Sequence, residues 1–218
     1  MERDIDINEI SDGKRYAASD MVKIGCSDCV GCSKCCEHMD GLIVLDPYDV
    51  HRLISGLSDG FSFDRLIGKK IDFVVDRGLM LPTLKMDENT GKCVFLNENG
   101  RCSIHDIRPG ICRLFPMGRL YEDGSFSYFL QKDECDYPGK TKVKLKNWIN
   151  TPEINKYEKY ISDWHYFTRD IQEYMKAAGD DEVKQINSIL TQMFFMTMYS
   201  ERFYDDFYIR LNKVKMLL

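Results

Sequence analysis

The 218-residue chain lacks any run of about 18 apolar residues, so no transmembrane helix is expected. Its first twenty residues lack the basic start and apolar stretch of a secretory signal. A cytoplasmic location is therefore expected. Basic charge is not in excess: 30 Lys and Arg stand against 35 Asp and Glu, for a net charge of −5. That balance favours neither nucleic acid nor an anionic membrane as partner. Neither a G-x-S-x-G elbow nor an H-E-x-x-H helix occurs, which argues against hydrolytic catalysis of those kinds. Glycine and proline are nearly missing from the last 78 residues, which hold only Gly179 and Pro152. The other 14 glycines lie before residue 140, and the chain divides there.

What the chain does have is cysteine, at Cys26, Cys29, Cys32, Cys35, Cys36, Cys93, Cys102, Cys112 and Cys135. Nine is odd, so a fully paired internal disulfide framework is impossible. A reducing cytosol also keeps thiols reduced. With 44% apolar residues, a chain of this length buries about 70% of its unfolded surface without staples. Dense, closely spaced cysteines in such a chain read best as metal ligands.

The expected fold class is α+β: a loop-rich cysteine-cluster domain with short β-hairpins, then an α-helical C-terminal extension. Residues 1–23 are polar and acidic and read as a flexible lead-in. Residues 24–140 hold all nine cysteines and read as the metal-binding domain, and 141–218 as the C-terminal helical extension. In the extension, Thr151 is placed to cap, with Pro152 at the first helical position and Glu153 in the first turn. Ile154, Tyr157, Ile161, Trp164, Thr168, Ile171 and Met175 then mark one helical face, and Gly179 ends it. A second helix is expected from Asp180 or Asp181. From Met193 to Leu218 there is no breaker, so one long helix or two would fit. His165 reads as a packed or capping residue rather than a ligand.

In the first part, Leu42–Leu45 is a strand candidate. Asp46 then caps a short helix with Pro47 at its first position and Gly56 at its end. Residues 93–96 and 101–104 read as a hairpin around 97–100, with Cys102 opposite Phe95. A second hairpin over 118–131 turns at Asp123-Gly124.

The chemical signal is Cys26-x2-Cys29-x2-Cys32-x2-Cys35-Cys36. A step of three lets successive sulfurs converge in a turn-rich backbone, where Gly25 and Gly31 add freedom. A soft cation turns such crowding into an advantage by holding the sulfurs as thiolates. Cys93, Cys102, Cys112 and Cys135 bring the count to that of two four-thiolate sites, or one cluster plus a second site. Zinc ribbons use two separated CxxC knuckles. Consecutive x2 steps look more like the run of iron–sulfur ferredoxins, although that run continues x3-C-P and this one x2-C-C-E. A [4Fe-4S] cluster is therefore placed ahead of Zn2+. Lys34, Arg101, Arg108, Arg113 and Arg119 are candidate compensating charges, and His38 and His105 are spare ligands that the thiol count does not require.

Taken in order, Cys29-x2-Cys32-x2-Cys35-Cys36, Cys93-x8-Cys102-Ser103-Ile104-His105, Arg108-Pro109-x2-Cys112-Arg113-x-Phe115-Pro116 and Cys135 resemble the YkgJ-type cysteine-cluster family, over roughly residues 24–140. The resemblance implies zinc or iron chelation by the matched cysteines; Cys26 is an addition to the pattern. It implies no particular reaction. Three functions follow as expectations: a metalloprotein whose centre serves redox or enzyme chemistry with a redox partner, a structural zinc module for a protein partner, or a metal-handling or sensing protein.

Overall fold

A computed structural model describes residues 6–26, 32–39, 41–57 and 62–217. In chain order the regular elements are α1 (Ile7–Ile10), β1 (Met21–Gly25), α2 (Pro47–Gly56), α3 (Phe63–Leu66), β2 (Ile71–Asp76), β3 (Leu79–Leu84), α4 (Gly110–Leu114), β4 (Met117–Glu122), β5 (Ser125–Leu130), β6 (Thr141–Lys144), α5 (Leu145–Ile149), α6 (Ile154–Met175), α7 (Asp180–Thr191) and α8 (Phe203–Leu217). The class is α+β. The strands form three separate antiparallel pairs, β1 with β6, β2 with β3, and β4 with β5.

Local chemistry accounts for several elements. Asp46 caps α2 by accepting the Asp49 N–H at 2.9 Å, and Asp49 accepts the Asp46 N–H at 3.3 Å. This reciprocal box, with Pro47 at the first position, fixes the helix start. The β4–β5 turn places Asp123 at φ 50° and Gly124 at φ 76°, the left-handed pair that a tight hairpin demands. Three acids, Asp180, Asp181 and Glu182, occupy the positive pole of α7, which starts at Asp180. The Leu42–Leu45 segment contributes a single bridge, Val44 to Thr83 on β3.

Other expectations need correction. Helix α6 starts at Ile154, two residues past Pro152, because Glu153 takes a left-handed conformation at φ 51°. It ends at Met175 rather than Gly179, and Gly179 instead precedes α7. Of the two alternatives from Met193 onward, the chain takes the broken one: a π-helical turn at Gln192–Met196 ends the run from α7, and the chain resumes as α8. Arg210 explains the break: it donates to the Met193, Thr197 and Met198 carbonyls at 3.0, 2.7 and 2.5 Å, satisfying acceptors that a continuous helix would bond internally. The β2–β3 hairpin, turning at Arg77 and Gly78, was not anticipated.

One buried cluster runs from Val22 to Val214. Tyr48 on α2 packs against Tyr157 and Tyr160 of α6 and Phe203 of α8, with ring centroids 5.6, 6.2 and 4.9 Å away. Asn187 on α7 bonds across to β3 and its turn, accepting the Met80 N–H at 2.8 Å and donating to the Gly78 carbonyl at 2.9 Å. Residues before β1 lie on the β4–β5 hairpin, where Tyr16 and Tyr128 exchange backbone bonds of 2.8 and 2.9 Å. No described helix is long and apolar enough to cross a membrane.

Candidate metal centre

The second half of the cysteine run is a 3₁₀ turn, Lys34–Cys36, closed by the Cys36 N–H on the Ser33 carbonyl at 2.7 Å. It lies antiparallel to residues 91–93. The Cys93 N–H donates to the Cys36 carbonyl at 2.8 Å, and the His38 N–H donates to the Gly91 carbonyl at 2.7 Å. Residues 93–96 are a turn rather than a strand, with the Leu96 N–H on the Cys93 carbonyl at 2.8 Å. The partner of Cys102 is Leu96, so the expected pairing with Phe95 is off by one residue. In a regular ladder that shift would send the two sulfurs to opposite faces. Cys93 nonetheless lies within electrostatic reach of Cys102 and Cys35, and Cys102 within reach of Cys35.

Cys112 arrives on α4. Cys35, Cys36, Cys93, Cys102 and Cys112 thus come from four places in the sequence to within electrostatic reach of one another. The Cys36 thiol shares a hydrogen bond with Cys35, which together with Arg108 pulls Cys35 down to about 7 against the effect of burial. The same bond, then burial, pushes Cys36 up strongly. Burial, then the neighbouring cysteines, pushes Cys112 up; burial leads at Cys93 and Cys102 as well. Cys35 is thus eased toward its thiolate while Cys36, Cys93, Cys102 and Cys112 are held protonated, and a cation favours several thiolates at once. The donor set is the one that soft or borderline metals select. Among the described residues, no three Cys, His, Asp or Glu side chains stand closely enough to grip an ion. Cys29 and Gly31 lie outside the described residues.

The remaining cysteines flank this group. Cys26 is buried at the end of β1. Cys135 lies in the loop before β6, where Lys140 Nζ donates to its carbonyl. Lys34 pairs with Asp136, tying that loop to the 3₁₀ turn, and the hydrogen bond to Asp136 raises the pKa of the Lys34 ammonium. Cys32, Cys35, Cys36, Cys93, Cys102, Cys112 and Cys135 carry no disulfide.

Of the histidines, His38 is exposed, and His105 and His165 have partners of their own. Nε2 of His105 accepts from Arg108 Nη1 at 2.7 Å, since a guanidinium can only donate. His165 stacks on Tyr121 with ring centroids 3.6 Å apart. Of the expected compensating charges, Arg108 acts on Cys35 and Cys102, and Arg101 on Cys102. Arg113 and Arg119 instead serve the buried carboxylates Asp46 and Asp49. Burial, then the charge of Asp46, pushes Asp49 up to about 7. Lys70 was missed: it acts on Cys93, and its Nζ donates to the Val94 carbonyl at 3.0 Å. No spacing rule links Lys70 or Asp49 to a cysteine; only folding makes them neighbours.

Thiols collected from separated segments, with cations beside them, are the donor chemistry of a cysteine-based metal-chelating domain. Residues 28–137, about half the chain, match the CxxCxxCC family, described as "Putative zinc- or iron-chelating domain". The chain belongs to that family, and metal binding is the property that its membership carries. No curated protein and no solved structure matches the chain.

Proposed function

We propose that this protein carries a thiolate-bound metal centre, a [4Fe-4S] cluster ahead of Zn2+, in a reducing cytoplasmic setting. Residues 24–140 form the binding unit and 141–218 its support. The ligands are drawn from Cys26, Cys29, Cys32, Cys35, Cys36, Cys93, Cys102, Cys112 and Cys135. The observation that carries the reading is the collection of Cys35, Cys36, Cys93, Cys102 and Cys112 from four separate segments into mutual electrostatic reach. A chain with so large a buried core has no need of five clustered thiols merely to fold.

When bound, an iron–sulfur cluster supplies one-electron chemistry. The chain's own residues do the rest. Arg108, Arg101 and Lys70 offset thiolate charge, and the Cys36–Cys93 backbone bond holds two donors in register. The consecutive x2 steps favour iron–sulfur over a two-knuckle zinc site.

Anaerobic purification followed by iron, sulfide and zinc analysis, with an optical spectrum, tests this. Brown protein with broad absorption near about 400 nm and matching iron and sulfide is expected. Colourless protein with stoichiometric zinc overturns the redox role and leaves a structural zinc module. Protein devoid of both metals overturns the metal centre.

A further inference from the structure

Helix α4, which carries Cys112, is five residues long and far too short to hold itself. Its anchors come from elsewhere in the fold. Asp49 Oδ1 on α2 accepts the Gly110 N–H at 2.7 Å, and the capping box with Asp46 fixes Asp49 in turn. Asp46 Oδ1 accepts the Tyr160 O–H at 3.0 Å. Arg113 Nη1 donates to the Arg108 carbonyl at 2.8 Å, while its guanidinium lies 5.8 Å from the centroid of the Tyr157 ring. The Tyr157 hydroxyl, which accepts from Arg119 Nη2 at 3.0 Å, stands so close to Gly110 that a Cβ there would lie 2.4 Å from it. Trp148 Nε1 donates to the Phe115 carbonyl at 3.1 Å, one residue past α4. Asp49 and Arg113 are 2% exposed, and Tyr157 and Tyr160 are fully buried.

Three residues of the C-terminal extension, Trp148, Tyr157 and Tyr160, therefore close the shell around the Cys112 turn. A shell this tightly packed does not deform gradually: when one wall shifts, its contacts shift too.

We propose that Asp49 and Tyr157 are positioning residues for Cys112, and that metal occupancy is coupled through the Asp49–Gly110–Tyr157 contact to the packing of the first half of α6. The extension is then a metal-responsive element, whose docking reports whether the centre is filled. This inference rests on the metal-centre reading above. Coupling of this kind is reciprocal: what loosens α6 weakens metal retention, and metal loss loosens α6. Groups behind the ligands of a metal site typically change affinity by about 10–100-fold.

Hydrogen exchange on the full chain, metal-loaded and after chelation, tests the coupling in unaltered protein. Amides of 110–115 and 157–165 should exchange at least about tenfold faster once the metal is removed, with α7 unchanged. In parallel, Tyr157→Phe should release metal to a chelator about tenfold faster than the parent chain. Exchange at 157–165 that ignores the metal, acceleration spread evenly over α7 as well, or parental release from Tyr157→Phe each overturns the coupling alone. A parent chain that binds no metal overturns the underlying reading, and the coupling with it.

Discussion

The Cys93 N–H donates to the Cys36 carbonyl at 2.8 Å, joining the last cysteine of the CxxCxxCC run to one 57 residues further on. A backbone bond holds this pair whatever the state of the sulfurs. The site is therefore partly organised before any ion arrives, which lowers the ordering cost of binding.

If the cysteines are the ligands, Cys112→Ser and Cys32→Ser should each lower the metal content of protein purified under argon. His38→Ala and His105→Ala should leave it at the parental level, because His38 is exposed and His105 is committed to Arg108. Elemental analysis of the four variants decides this. Full metal in both serine variants removes the ligand assignment.

The core makes a prediction independent of metal. Phe207 is fully buried, with its ring 4.6 Å from Tyr160 and 6.1 Å from Trp164, centroid to centroid. Phe207→Ala should cost about 3–5 kcal/mol in urea unfolding. On the same helix Met216 is 84% exposed, and Met216→Ala should stay within about 0.5 kcal/mol of the parent. Equal effects would mean that α8 does not pack as described.

Gly25 pairs with Thr141 across β1 and β6. A Cβ there would lie 2.4 Å from Thr141 Oγ1 and 2.8 Å from Val143 Cγ1. Gly25→Ala should therefore destabilise the protein by about 1–3 kcal/mol, although alanine is ordinarily the mildest of substitutions. Thermal melts of Gly25→Ala beside Gly139→Ala, whose site is open but has φ 69°, separate crowding from backbone strain. Crowding predicts the larger loss at Gly25.

Alkaline pH should weaken the fold. Burial, then the hydrogen bond to Asp12, pushes Tyr16 up to about 12, and burial does the same for Tyr157. An unfolded tyrosine ionises near pH 10. Between about pH 10 and 12 the unfolded chain has shed protons that the native chain retains, so stability present below pH 10 declines across that window. Urea midpoints at pH 9, 10 and 11 should fall, and Tyr16→Phe should flatten the fall. A midpoint steady over that range contradicts the assignment.

Local signals were legible where a few neighbouring residues do the work. Asp46-Pro47 announced α2, Asp123-Gly124 announced the β4–β5 turn, and Asp180 announced α7. The β2–β3 hairpin escaped because Arg77 is an unusual residue at φ 49° and Pro82 interrupts its strand pattern. The start of α6 was misplaced for a similar reason: Glu153 adopts a left-handed conformation that its residue type does not advertise.

Sequence alone determined the family's cysteine pattern and the helical character of the C-terminal region. Sulfur's affinity for soft metals and the 3.6-residue period are properties of residues and short spacings. Tertiary structure alone decided that β1 meets β6 and that Asp49 and Tyr157 pack against the Cys112 turn. Each of those depends on contacts between distant segments, whose free energy is gained only after long loops close and a shared core forms. No window of neighbouring residues contains that term.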